Sequence, residues 1–279
     1  MVRETATGTG STGDQPEGPA AITLEDVGYT FQGRGRQPKL ALTGVSFSVP
    51  RSTFVSVVGP SGCGKSTLLN LVSGLLAPTE GTVRVHGEVV TGIRRDIGYM
   101  PGSESLLPWR TVRDNVALPL ELAGVGKSER NARSEEMLQA VGLRGLGGAY
   151  PHALSQGMRQ RVAIARTFTV HSDIVLMDEP FSALDAQTRV MVQDLFLSIW
   201  EQHRPTVMLI THDVSEAVAL ADKVIVFTPS PGTVESVRQV DLARPRSVED
   251  LIFEDQEFQG HMRAIWNSLR HKTKTEAAQ

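Results

Sequence analysis

Apolar residues of two textures alternate along this chain. Five short runs are almost free of polar interruption: FVSVV (Phe54–Val58), IGYM (Ile97–Met100), IVLM (Ile174–Met177), TVMLI (Thr206–Ile210) and KVIVF (Lys223–Phe227). Runs this short and this β-prone suit buried strands, and helix-like stretches separate the last three, which predicts a parallel sheet. Ahead of them, ITLEDVGYTF from Ile22 and VSFSV (Val45–Val49) read as strands joined through a turn or loop over Gln32–Lys39. Thr82–Gly87 followed by Glu88–Val90 reads as a tight hairpin.

Helical spacing appears at Leu68, Leu71, Val72 and Leu75, then over Thr111–Leu122, Lys127–Val141 and Ser155–Phe168, with glycine-rich breaks at Gly124–Gly126 and Gly142–Gly148. The last three read as a helical subdomain, about residues 103–170, inserted into an α/β one. In the third, Ser155 is a natural N-cap, and Val162, Ala165 and Phe168 form the face that docks on the core while Arg159 and Arg161 stay solvated. Near the end, Phe258, Met262, Ile265, Trp266 and Leu269 share one helix face, which predicts a helix folded back on its own domain, with a mobile tail from His271. Residues 1–21, rich in Gly, Thr, Ser, Pro and Glu, read as a disordered leader, 22–237 as the main domain and 238–279 as an extension.

Composition narrows the class. A chain of 279 residues can bury one large core. No stretch approaches the roughly 20 apolar residues of a membrane span, and the N-terminus lacks the apolar core of a secretory signal. The net charge of -3 provides no basic field for nucleic acid. The one cysteine, Cys63, can form no internal disulfide, which agrees with a reducing compartment.

The chemistry starts where FVSVV meets the first helix. Gly59-Pro60-Ser61-Gly62-Cys63-Gly64-Lys65-Ser66-Thr67 fits G-x-x-x-x-G-K-[ST] between a strand and a helix. Its glycines let consecutive amides point inward, and the helix adds its positive end, so the loop suits a polyphosphate. Lys65 would reach the outer phosphates and Ser66 would place its hydroxyl on a magnesium ion. After IVLM come Asp178, suited to the same ion, and Glu179, suited to deprotonating a water for in-line attack on a γ-phosphate. Alone, that pair would be acids at a solvated turn. His212 follows another strand and could donate to the γ-phosphate or the attacking water at the same sheet edge. In LSQGMRQR (Leu154–Arg161), the helix start and the small Gly157 could approach an anion. Phe31, at a strand end, could stack on a base or be an ordinary edge aromatic.

Taken in order, GPSGCGKST, LSQGMRQR, IVLMDEP, SALD (Ser182–Asp185) and ITHD (Ile210–Asp213) resemble the ATP-binding subunit of an ABC transporter. The resemblance implies an α/β fold: a P-loop NTPase (RecA-like) core with a mostly parallel sheet, an N-terminal antiparallel β part and the inserted helical subdomain. It implies ATP and Mg2+ as ligands and a homodimer: two copies head to tail, with Ser155, Gln156, Gly157 and Asp185 of one facing the nucleotide of the other, and Phe31 stacking on adenine. SLLPWRTVRDNVALPLELAG (Ser105–Gly124) and THDVSEAVALADKVIVFTPSPGTV (Thr211–Val234) are similar to ATPases of nitrate, sulfonate and taurine importers. That narrower likeness implies two transmembrane permease subunits docking near Leu106, Leu107 and Trp109, an extracytoplasmic substrate-binding protein, and a place on the cytoplasmic face of the membrane. An exporter, a lipid-extracting complex or a regulatory complex is the alternative setting. A nucleic-acid-handling ATPase would need a long coiled coil or a zinc-bearing insertion, which the sequence lacks.

Two positions depart from the family pattern. Gly102 occupies the slot of a metal-binding glutamine, leaving Glu104 as a candidate oxygen ligand or, alternatively, a site that hydrolyses slowly. On sequence grounds Gly102→Gln is expected to raise the ATPase rate. Gln156 replaces the first glycine of the signature helix, where the retained Ser155 and Gly157 imply that binding across the dimer survives.

Overall fold

The computed structural model describes residues 20–32 and 37–276, with backbone alone at 254 and 270–276. Most of the expected leader, and part of the loop after Phe31, lie outside those residues; Ala20 and Ala21 already belong to the first strand.

The chain opens with β1 (Ala20–Phe31) and β2 (Lys39–Pro50), an antiparallel pair, followed by β3 (Phe54–Val58) and α1 (Lys65–Val72). Next come β4 (Glu80–Val85), β5 (Glu88–Val89) and β6 (Ile97–Met100). The helices α2 (Val112–Leu122), α3 (Lys127–Ala140) and α4 (Gln156–Phe168) then precede β7 (Ile174–Asp178). Alternation returns with α5 (Ala186–His203), β8 (Thr206–Thr211), α6 (Val214–Leu220), β9 (Lys223–Phe227) and β10 (Val234–Gln239), and the chain continues through α7 (Val248–Glu254) and α8 (Gln256–Glu276).

Two sheets result. One is antiparallel in the order β2-β1-β4-β5, and the other runs β10-β9-β3-β8-β7-β6. Within the second, β9, β3, β8, β7 and β6 are mutually parallel, and only the edge strand β10 is antiparallel. Both faces of this sheet are covered, which explains its uninterrupted apolar strands. Alternate residues serve the two sides: Met208 and Ile210 of β8 join the core shared with the antiparallel sheet and α1, whereas Val207 and Leu209 join the core under α4, α5, α6 and α8. At the centre of the second core Trp200 is fully buried against Phe54, with Arg244 stacked over its ring at 4.3 Å.

Several expectations change. The strand expected from Val45 starts six residues earlier, at Lys39, because the edge of β1 is available for pairing along its whole length. α1 ends at Val72, so Leu75 falls beyond it and is exposed. On α8, Phe258 and Ile265 are buried beside α6, yet Trp266 is half exposed, since the face touching the domain is narrower than the apolar stripe. The stretch from His271 begins as the last turns of α8.

Candidate nucleotide site

The loop after β3 is shaped by its glycines. Gly64 is left-handed (φ +100°), and a β carbon there would stand 2.6 Å from the Leu42 side chain and 2.9 Å from the Ala41 carbonyl, so no other residue fits. Lys65 is buried and donates from Nζ to the carbonyls of Gly59 at 2.8 Å and Pro60 at 3.1 Å, which holds the ammonium across the loop. Burial pushes the Cys63 thiol up despite the nearby Lys65 charge, so this cysteine is an inert packing group.

Beside the loop a cleft of about 310 Å³ is lined by Phe31, Ser61, Gly62, Ser66, Thr67 and Glu179, among others. Phe31 is partly exposed at the end of β1, braced edge-on by Tyr29 with centroids 4.9 Å apart. Lys39 and Ala41 also line the cleft; nothing in their sequence neighbourhood marks them.

At the C-terminal ends of the parallel strands the distant motifs meet. Ser66 donates to Asp178 Oδ1 at 3.0 Å. Burial pushes the Asp178 carboxyl up, the Ser66 hydroxyl opposes that rise, and the adjacent Glu179 adds to it. A hydroxyl and a carboxylate oxygen sharing one point, in surroundings that penalise the free negative charge, form a hard-oxygen pair of the kind magnesium takes together with phosphate oxygens. Glu179 is left-handed (φ +48°), held there because its amide donates to Ile210 O at 2.9 Å while its carbonyl accepts from Ser182. Its Oε2 lies 2.9 Å from His212 Nδ1. The two residues are 33 apart in sequence, and parallel pairing of β7 with β8 puts them side by side.

The signature segment sits elsewhere on the surface. Ser155 caps α4, accepting from Met158 N at 3.3 Å, and both it and Gln156 are exposed. Gly157 has a neighbour that sequence did not reveal: a β carbon there would stand 2.5 Å from Thr188 Cγ2, so its smallness lets α4 approach α5. Asp185 caps α5, accepting from Thr188 N at 3.0 Å, and that bond holds its carboxyl below the usual range.

Two expectations about the departures need correction. Glu104 is engaged elsewhere than at Asp178: its carboxylate lies 3.5 Å from Nε of Arg159, whose side chain stays partly exposed. Arg166 strengthens that strap by donating to the carbonyls of Glu104 at 2.7 Å and Ser105 at 2.8 Å. Gly102 has no room for a side chain, because a β carbon would stand 2.7 Å from the Asp178 carbonyl oxygen.

Around Leu106 to Trp109 the organising residue is Asn115, another that sequence did not flag. Buried on α2, it accepts from Leu107 N at 2.7 Å and donates to the carbonyls of Leu107, Arg110 and Thr111. Leu106 packs on the core, Leu107 is half-buried and Trp109 is 72% exposed.

With this geometry in place, residues 42–182 match the family described as ABC transporter. A taurine import ATP-binding protein of Rhizobium johnstonii is 48% identical over 223 residues, covering 80% of this chain and 85% of its own. A nitrate import ATP-binding protein of Synechocystis sp. is 42% identical over 221 residues, covering 79% and 83%. The chain is an ATP-binding subunit of the ABC transporter family. It is of the importer class, and it hydrolyses ATP to drive transport. The fold is that of a solved ATP-binding cassette, a dimer in a post-hydrolysis state with ADP and Pi, which is 32% identical with a TM-score of 0.70 over 80% of this chain and 100% of that one. Among the described residues, no helix of this ABC ATPase is long and apolar enough to cross a membrane.

Proposed function

We propose that this ABC ATPase powers uptake of a small anion such as a sulfonate, taurine or nitrate. In this reading it works as a homodimer on the cytoplasmic face of the membrane, with two permease subunits docked near Leu106, Leu107 and Trp109 and a substrate-binding protein outside. The relatives named for taurine and nitrate import support the substrate class. An exposed Trp109 on a loop pinned by Asn115 supports the docking site, since an aromatic anchor on a rigid base loses little entropy on binding. Exposure of Ser155 and Gln156 leaves the start of α4 free to meet the nucleotide of a second copy.

The observation that carries the catalytic assignment is the contact of Glu179 Oε2 with His212 Nδ1 beside the phosphate-loop cleft. The Glu179 carboxylate would take a proton from a water aimed at the γ-phosphorus; the water oxygen bonds to phosphorus as the bond to the ADP oxygen breaks. Lys65 and the loop amides would hold the phosphates in line. His212 donates Nδ1–H to a carboxylate that can only accept, so the neutral ring offers an acceptor at Nε2 and the imidazolium a donor. Ser66 and Asp178 would hold magnesium, which when bound neutralises phosphate charge.

Glu179→Gln tests this. Its ATPase rate should fall about 10²- to 10⁴-fold with ATP affinity kept, and solution scattering should show an ATP-dependent dimer. Near-normal turnover would remove the base from Glu179.

A further inference from the structure

Opposite the nucleotide, where β3, β7 and β8 begin, lies a second cavity of about 280 Å³. Strands of five residues at about 3.3 Å each separate the two edges by roughly 17 Å, so this cavity shares no wall with the phosphate loop. Turns from both sheets build it: Arg51 precedes β3, His86 lies between β4 and β5, His171 and Asp173 precede β7, and His203 and Arg204 end α5.

Its charge runs against that of the whole chain, which carries a net -3. Two arginines, three histidines and one aspartate line it, none of the five bases makes an ion pair among the described residues, and Arg204 rests its guanidinium over the Trp200 ring at 4.9 Å. His171 and His203 meet edge to face with ring centroids 4.7 Å apart. The Nδ1 of His86 is hidden from solvent and has no hydrogen-bond partner. Burial holds the His171 imidazole below its ordinary value, and the positive fields of His203 and of Arg133 on α3 add to that, with Glu136 opposing. His86 also acts weakly on the Asp96 carboxyl, which Arg94 chiefly holds below the usual range. Positive side chains gathered at one cavity, with one of them already disfavoured in its charged form, are relieved by an anion. A metal is the wrong guest, since among the described residues no three His, Cys, Asp or Glu side chains are placed to hold one.

We propose that this cavity binds a doubly charged oxyanion of the phosphate or sulfate type, gripped by Arg51 and Arg204 and by His86, His171 and His203 when protonated. Such an anion would tie the exit of α4 to the exit of α5, the two helices whose starts carry Ser155 and Asp185.

The test uses the full chain with its phosphate loop saturated by a non-hydrolysable ATP analogue and magnesium, which keeps added anion out of that loop. Histidine ring resonances are followed while sodium sulfate is added at about pH 6 and about pH 8, either side of the ordinary histidine range. Sulfate keeps its charge across that interval, so any pH dependence belongs to the protein. The expected result is saturable movement of the His171 and His203 signals with a Kd of about 1 mM or tighter at the lower pH. Affinity should weaken at least about tenfold at the higher pH, and in the His171→Gln/His203→Gln double variant as well. Inorganic phosphate should move the same signals, and the tighter of the two anions names the ligand class. Unsaturable drift reproduced by sodium chloride of equal ionic strength, or unchanged sulfate affinity in the double variant, would overturn the proposal.

Discussion

A β carbon on residue 102 would stand 2.7 Å from the carbonyl oxygen of Asp178, closer than side-chain carbons come to backbone, and backbone in a parallel strand has little freedom to yield. The glycine in that slot is therefore a packing requirement as well as a missing ligand. Gly102→Ala and Gly102→Gln are both expected to lower stability by about 1–3 kcal/mol, read as a fall in Tm by calorimetry, and to lower ATPase activity by moving the strand end that carries Asp178 and Glu179. Raised hydrolysis by Gly102→Gln at an unchanged Tm would restore the expectation drawn from sequence. Legibility at this scale followed separation along the chain. Lys65, Ser66, Asp178, Glu179 and His212 were legible because each sits in a short motif after a strand. The partners of Glu104 and Gly157 were not: Arg159 is 55 residues from Glu104 and Thr188 is 31 from Gly157, and no local pattern encodes such pairings.

The elements were the most legible level, because buried strands need continuous apolar runs and capped helices need polar starts. Thr111, Ser155 and Asp185 each accept a hydrogen bond from the third residue beyond them, as N-caps do. Helix ends were less readable. The seven-residue α6 ends among buried alanines, and its last carbonyls are met by arginines from beyond β10. Arg246 donates to Ala221 O at 2.7 Å and Leu242 O at 2.8 Å, while Arg244 donates to Leu220 O at 2.7 Å and pairs with Asp222 at 2.7 Å. Burial, then the neighbouring Arg244 charge, bring the Arg246 guanidinium down to about 10. Charge-assisted bonds of this kind make Arg246→Ala cost about 2 kcal/mol or more, measured by urea unfolding. Arg246→Lys should not rescue it, because a single ammonium cannot reproduce the planar fork across separate carbonyls. A variant as stable as the parent would show that the α6 end is satisfied without it.

For the molecule as a whole, stability carries a pH dependence traceable to one buried acid. Glu216 on α6 is fully enclosed, accepts from Gln193 of α5 at 3.0 Å and has a second oxygen without a partner. Burial raises its carboxyl from 4.5 to about 8, with the Thr211 hydroxyl opposing and Asp213 adding to the rise. Between those values the folded chain holds a proton that the unfolded chain has released, so folding stability falls as pH rises through that window. Glu216→Gln keeps the shape and removes the proton. Its urea midpoint should lose most of the decline between pH 4.5 and about 8 and exceed the parent's at the upper end. An undiminished slope in the variant would assign the dependence to another group.

By itself the sequence determined the order of strands and helices, the phosphate loop, the adjacent carboxylates and the resemblance that led to an ABC ATPase. All of these are local patterns, imposed by the repeat of the backbone or by motifs shorter than ten residues. Tertiary structure alone decided that Glu179 touches His212, that Glu104 turns to Arg159, that Gly102 and Gly157 leave space for Asp178 and Thr188, and that three histidines and two arginines from four separate turns share one cavity. Contacts of that kind depend on which strands lie side by side, and strand order is set by how two apolar cores are filled together, a property of the whole chain.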